Sequence, residues 1–173
     1  MPFVHVCSLA RIAATVADAR ASHLVSLIND QTAVTRPTAI TEENHLFLGM
    51  NDITEPQDGM VLPGAEHVRR LVDFAGTWRR DRPMVIHCYA GISRSTAAAF
   101  ITLCATRPER DEYDIARRLR NASPIATPNP LLVALADAML DRRGRMIEAI
   151  AAIGRGQEAM EGNPFALALE EDG

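Results

Sequence analysis

Val85-Ile86-His87-Cys88-Tyr89-Ala90-Gly91-Ile92-Ser93-Arg94-Ser95 is the stretch that decides how this chain is read. An apolar pair with strand preference leads into a cysteine. An arginine, a hydroxyl residue and the helix-prone run Ala97-Ala98-Ala99-Phe100 follow. The order is strand, tight loop, helix. It sets a thiol at the floor of a ring of backbone N–H groups, with a guanidinium closing the ring. A ring of that kind fits a tetrahedral dianion.

The elements around it read outward in the same way. Phe3 to Val6, His23 to Ile28, His45 to Leu48 and Met84 to His87 have strand character. Ser8 is placed to cap a helix carrying Leu9, Ile12, Ala13, Val16 and Ala17. Asn51 to Gly64 holds Pro56, Gly59, Pro63 and Gly64 and reads as a long functional loop. Val68, Leu71, Val72, Phe74 and Ala75 mark a helix, and Ile92 to Cys104 is apolar enough for a buried central one. Helices then follow over Tyr113–Leu119, Leu131–Leu140 and Met146–Ile153. A loose stretch and a frayed acidic end at Glu170-Glu171-Asp172 complete the expectation. Strands alternating with helices early, and helices late, predict an α/β fold. It has a mainly parallel central sheet of four to five strands with helices on both faces. Ligands in such folds bind at the carboxyl ends of the strands, and Cys88 falls at one. Residues 1–142 are expected to form the domain, with 143–173 as a helical extension.

Composition narrows the function classes. The chain has 173 residues, 47% hydrophobic and 23% charged, with a formal net charge of -4. That balance argues against a nucleic-acid binder held by a general basic field. All 18 basic residues are arginine, so chemistry needing a lysine amine is excluded. Cys7, Cys88 and Cys104 have the spacing of neither a disulfide framework nor a zinc site. Three such cysteines fit a reducing cytosol, and no signal peptide or membrane span is expected. No metal or cofactor is expected either, and the sequence leaves the oligomeric state open.

The loop supplies its own chemistry. A thiol must be thiolate to act as a nucleophile. Inward N–H groups, the N-terminus of the following helix and the charge of Arg94 all favour the anion at Cys88. Arg94 offers a planar fork for two phosphate oxygens. Tyr89, Ala90, Gly91, Ile92, Ser93 and Arg94 form the oxyanion-binding ring, and Gly91 permits its turn. Ser95 is placed to hydrogen-bond the sulfur as it leaves in a second step. His87 faces away from the substrate and orders the loop. The reading is of sulfur attacking phosphorus. Cys7, at the end of a strand on the same sheet edge, is the nearer candidate for a redox partner of Cys88. Cys104 lies ~15 Å down the helix.

His87-Cys88-Tyr89-Ala90-Gly91-Ile92-Ser93-Arg94-Ser95 resembles the signature of the protein tyrosine phosphatase superfamily, with wording most like its dual-specificity-like branch. His23 to Asn29 is similar to a core strand of that branch. Ala122-Ser123-Pro124-Ile125-Ala126-Thr127-Pro128-Asn129 is similar to its late turn before a helix. The resemblance implies a metal-free, two-step phosphomonoester hydrolysis through a cysteinyl-phosphate. It also implies an aspartate general acid on a loop upstream of the cysteine. Asp52, directly after the third strand, is the first choice, and Asp58 on the same loop is the rival. Uncharged Tyr89, Ala90, Ile92 and Ser93 favour a phosphorylated protein or peptide, with phosphotyrosine first, over phosphoinositides. A catalytically weak phosphate-binding module is the alternative of a different class.

Overall fold

A computed structural model describes residues 2–170 of the chain. Among these residues five strands form one sheet: β1 (Phe3–Ser8), β2 (His23–Ile28), β3 (His45–Gly49), β4 (Met84–Cys88) and β5 (Phe165–Ala168). Their order is β3-β2-β4-β1-β5. The first four run parallel and β5 is antiparallel to β1 on the edge. Every residue of β4 is buried, as a central strand covered on both faces must be.

Among the described residues six α-helices pack around the sheet: α1 (Ile12–Ala19), α2 (Ala65–Thr77), α3 (Arg94–Thr106), α4 (Glu112–Ala122), α5 (Pro130–Met139) and α6 (Arg145–Ile153). α1 closes one face with a small cluster of Ile12, Val16, Leu24, Ile40 and Val85. The main core lies under the other helices, and α3 runs through it with every residue from Arg94 to Cys104 buried. A helix apolar all round belongs inside. The mainly parallel sheet with helices on both faces is the architecture the sequence predicts.

Polar contacts fix the helix ends. Asp111 caps α4 by accepting from the Tyr113 and Asp114 N–H groups. Asn129 caps α5 by accepting from Leu131 and Leu132, with Pro130 at the first helical position. A buried Arg142–Glu112 pair at 2.7 Å ties α4 to the α5–α6 turn, and Arg142 also donates to the Cys104 carbonyl at 2.6 Å.

The structure departs from the sequence expectations at both ends. Ser8 caps nothing: Leu9–Arg11 is a 3-10 turn, and the Ser8 hydroxyl donates to Glu161 Oε1 at 2.6 Å. The expected loose stretch after α6 contains β5. Its residues Val6↔Phe165 through Phe3↔Ala168 are in antiparallel register with β1. Met146 and Ala149 of α6, together with Leu167 and Leu169, are buried in the main core. Of the expected acidic end, Glu170 bonds Arg107, while Glu171 and Asp172 lie outside the described residues.

Candidate active site

Cys88 ends β4 and Arg94 begins α3, so the loop between them sits at the carboxyl edge of the sheet. Its peptide planes are set from outside. The Cys88 carbonyl accepts from His87 Nδ1 at 3.0 Å, and that of Tyr89 from Leu9 N at 3.1 Å. The Ala90 carbonyl accepts from Gly162 N at 2.8 Å, that of Ile92 from Thr127 N at 2.9 Å, and that of Ser93 from Asn129 N at 3.2 Å. In a trans peptide the N–H points opposite the C=O. Carbonyls drawn outward therefore turn the N–H groups of Tyr89, Ala90, Gly91, Ser93 and Arg94 inward. Gly91 N–H reaches Cys88 Sγ at 3.3 Å. Gly91 has a φ of 74°, and a Cβ there would lie 2.9 Å from the Cys7 carbonyl carbon. Both conformation and space require glycine.

Ser95 Oγ lies 3.1 Å from the same sulfur. Cys88 itself is 2% exposed. Arg94 is 8% exposed, and its Nη1 donates to the Met50 carbonyl at 2.9 Å. That bond aims the guanidinium across the loop, while its buried Nε has no hydrogen-bond partner among the described residues. An unpartnered buried donor beside a ring of inward N–H groups is what an anion-binding loop requires.

His87 is fully buried below the loop. The Cys88 carbonyl only accepts, so Nδ1 carries the proton and Nε2 accepts from Ser26 Oγ at 2.6 Å. Ser26 Oγ accepts in turn from His45 Nε2 at 2.8 Å. Burial, reinforced by His45 and Arg94, pulls His87 down to about 4 despite the opposing bond to the Cys88 carbonyl. It is a neutral strut under the loop.

Asp52 stands at the base of the loop between β3 and α2. Its Oδ1 accepts from Ser93 Oγ at 2.8 Å and from Asn129 Nδ2 at 2.9 Å. Asn129 also donates to the Ile53 carbonyl. The loop is pinched shut by Asn51 N to the Val61 carbonyl at 2.9 Å and Val61 N to Asn51 Oδ1 at 2.8 Å. Asp58 lies exposed in the part beyond that neck. The structure thus brings Asp52 to the cysteine loop and leaves Asp58 apart from it.

The β1–β4 register sets Cys7 opposite His87 and Ser8 opposite Cys88. The pleat turns Cys7 to the α1 side, with Ile12 and Val16. Burial pushes its thiol up to about 11, against a hydrogen bond from Thr15. Cys104, buried in α3, is pushed up to about 12 by burial. Both thiols stay protonated at neutral pH.

Three groups escaped the sequence reading. Asn129 is legible as a helix cap, yet its second task of holding Asp52 joins residues 77 apart. The Met50 carbonyl that aims Arg94 and the Gly162 N–H on Ala90 carry no side-chain signal at all. The tail also adds a wall. A cavity of ≈ 560 Å³ beside the loop is lined by Asp52, Ser93 and Thr127 on one side and by residues 155–160 on the other. A second space of ≈ 350 Å³ lies among Leu9, Tyr89, Met160 and Glu161.

A buried thiol under inward N–H groups, with an arginine across them, defines an oxyanion-binding site of the cysteine-loop class. A family model described as protein-tyrosine phosphatase matches residues 33–129, more than half of the chain, and the chain belongs to that family. Among solved structures, DUSP15 superposes with a TM-score of 0.63 at 18% identity, over 87% of this chain and 89% of that one. PTP-2 phosphatase from Cydia pomonella gives 0.61 at 20%, over 78% and 84%. PTPMT1 in complex with PI(5)P gives 0.60 at 14%, over 86% and 92%. At these identities the likeness is one of fold, and that fold is dual-specificity-like. No curated protein matches the chain. Among the described residues no helix is long and apolar enough to cross a membrane.

Proposed function

We propose that this protein hydrolyses phosphomonoesters, phosphotyrosine in proteins first among them, with Cys88 as nucleophile. The observation that carries this reading is the loop itself: Cys88 Sγ beside the Gly91 N–H and Ser95 Oγ, under the free Nε of Arg94. The Cys88 thiolate attacks phosphorus; the S–P bond forms as the ester P–O bond breaks. Asp52 gives its proton to the departing oxygen. Water then attacks the phosphorus of the cysteinyl-phosphate and returns a proton to Asp52. The S–P bond breaks, Ser95 Oγ–H donates to the departing sulfur, and inorganic phosphate leaves. Arg94 and the N–H ring hold the non-bridging oxygens throughout, supplying the positive charge that the transition state needs without calling on a metal.

The rim supports a peptide substrate. Glu158 and Arg155 line the larger cavity and offset each other, and Glu161 lines the smaller. A polyphosphorylated inositol headgroup would find no excess of positive charge there. Tyr89, 65% exposed, and Met160, 96% exposed, stand beside the smaller space and offer apolar flanks for an aromatic ring. The test is a panel of phosphotyrosyl, phosphoseryl and phosphothreonyl peptides, phosphoinositides and nucleotides, run with wild type and Cys88→Ser. The expected outcome is the highest kcat/KM on a phosphotyrosyl peptide and no turnover by the variant. Equal inactivity of both proteins, with phosphopeptide binding retained, would replace the enzyme by a binding module.

A further inference from the structure

The segment between α6 and β5 crosses the outside of the cysteine loop and is fastened along its length. Arg120 Nη2 donates to the Gly154 carbonyl at 2.7 Å. Gly156 N donates to Thr127 Oγ1 at 3.1 Å, and Gln157 N to the Pro124 carbonyl at 3.0 Å. Ser8 Oγ holds Glu161 at 2.6 Å, and Gly162 N donates to the Ala90 carbonyl at 2.8 Å. β5 then locks the far end by pairing with β1.

The Ala90 carbonyl and the Gly91 N–H belong to one peptide unit. Gly162 therefore grips the outer end of the group whose inner end points at Cys88 Sγ at 3.3 Å. A rotation of that peptide would withdraw a donor from the sulfur and from any anion above it. A hydrogen bond on the carbonyl also polarises the N–H and strengthens what it donates. The approach is close: a Cβ on Gly162 would lie 2.9 Å from the Gly91 carbonyl oxygen. Only a residue without a side chain brings the strap near enough to make the bond.

We propose that Gly162 is a positioning residue for the cysteine loop. On this view the C-terminal strap, Gly154–Gly162, is a built-in part of the active site. The inference rests on the reading of Cys88 as the nucleophile. The strap sets the Ala90–Gly91 peptide against the sulfur and, with residues 155–160, walls the cavity beside it. A strap displaced by even a small distance leaves the loop folded and its donor misaimed.

The experiment compares wild type with Gly162→Ala and Ser8→Ala in the full-length chain. One readout is the rate of iodoacetate alkylation at Cys88 at pH 6, mapped by mass spectrometry. Cys7 and Cys104, held protonated by burial, stay silent. The second is kcat and KM on an aryl phosphate, with near-UV circular dichroism reporting the fold. Gly162→Ala, with its native near-UV spectrum kept, is expected to slow alkylation severalfold and lower kcat by up to about a hundredfold, the scale of a misplaced reacting group. Ser8→Ala, which frees Glu161 without crowding the loop, is expected to move both in the same direction by less. Wild-type alkylation and turnover in both variants would overturn the proposal. If Gly162→Ala does not fold, Ser8→Ala decides alone. Alkylation needs no turnover, so the two readings separate. An inactive wild type whose alkylation still slows in the variants removes the phosphatase and keeps the strap. An active wild type with unmoved variants does the reverse.

Discussion

The two loops that meet at the site are built in opposite ways. The loop from Cys88 to Arg94 is short, with Cys88, Gly91 and Arg94 buried, and the turn after β1, the turn before α5 and the C-terminal strap hold its carbonyls from outside. The loop from Asn51 to Gly64 is long and exposed, pinched at Asn51 and Val61, and meets the cysteine loop through the Asp52 carboxylate, with Asn129 holding Asp52 and Ile53 from the side. The difference separates two jobs. Holding a dianion and a thiolate needs fixed dipoles that do not reorganise. Giving and taking a proton needs a group whose hydrogen bonds exchange as substrate enters. On the proposed mechanism the first job falls to the rigid segment and the second to the tethered one.

Mutations on the rigid side should cost most. Cys88→Ser is expected to lower kcat by at least about 10⁴-fold, since a serine hydroxyl stays protonated where the thiol would ionise and the loop holds no second thiol. Arg94→Lys keeps the charge and loses the planar fork and the bond to Met50; a kcat loss of about 10²–10³-fold is expected in steady-state assays. A milder effect would mean that the ring of N–H groups alone carries the anion. Asp52→Ala is expected to cost about 10²-fold in kcat/KM, which reports the first step, on an alkyl phosphate and far less on a nitrophenyl phosphate, whose acidic leaving group needs no proton. Equal losses on both would take the acid role away from Asp52, and Asp58→Ala would then be the next variant to assay. Asn129→Ala removes a helix cap and the second bond to Asp52. About 1 kcal/mol of stability should be lost in urea unfolding, along with a fall in kcat on the alkyl phosphate.

Stability also depends on pH. His87 is neutral in the fold, held down to about 4 by burial, while the unfolded chain titrates near 6.5. The unfolded state therefore binds more protons between those values, and stability falls as pH drops from 6.5 toward 4. The full loss from this group is roughly 3 kcal/mol. His5, His23, His45 and His67 are also lowered, chiefly by burial, and add in the same direction. Urea unfolding at pH 7, 5.5 and 4.5 measures the trend, and a flat profile would put His87 outside the core.

The same contrast sets what could be read from the chain. The strand, loop and helix around Cys88 are contiguous, so apolar patterning and the Gly91 turn announce them together. That His87 orders the loop is legible from its place beside Cys88, whereas its neutrality is set by burial that only the fold supplies. Asp52 is legible from its place after β3, and its bonds to Ser93 and Asn129 distinguish it from Asp58 by position. The strap was not legible. Phe165–Ala168 is short, follows a glycine-rich run, and becomes a strand only because β1 offers it an edge. Ser8 looked like a cap because its partner, Glu161, stands 153 residues away.

On the proposed mechanism the rigid loop delivers Cys88 to phosphorus. Rapid-quench mass spectrometry of the wild type with a fast-leaving aryl phosphate tests it most directly. The expected result is the mass of one phosphoryl group on the Cys88 peptide at early times, decaying at the turnover rate and slower to decay in Asp52→Ala. Turnover without a phosphorylated Cys88 peptide, or turnover that persists in Cys88→Ser, would contradict it.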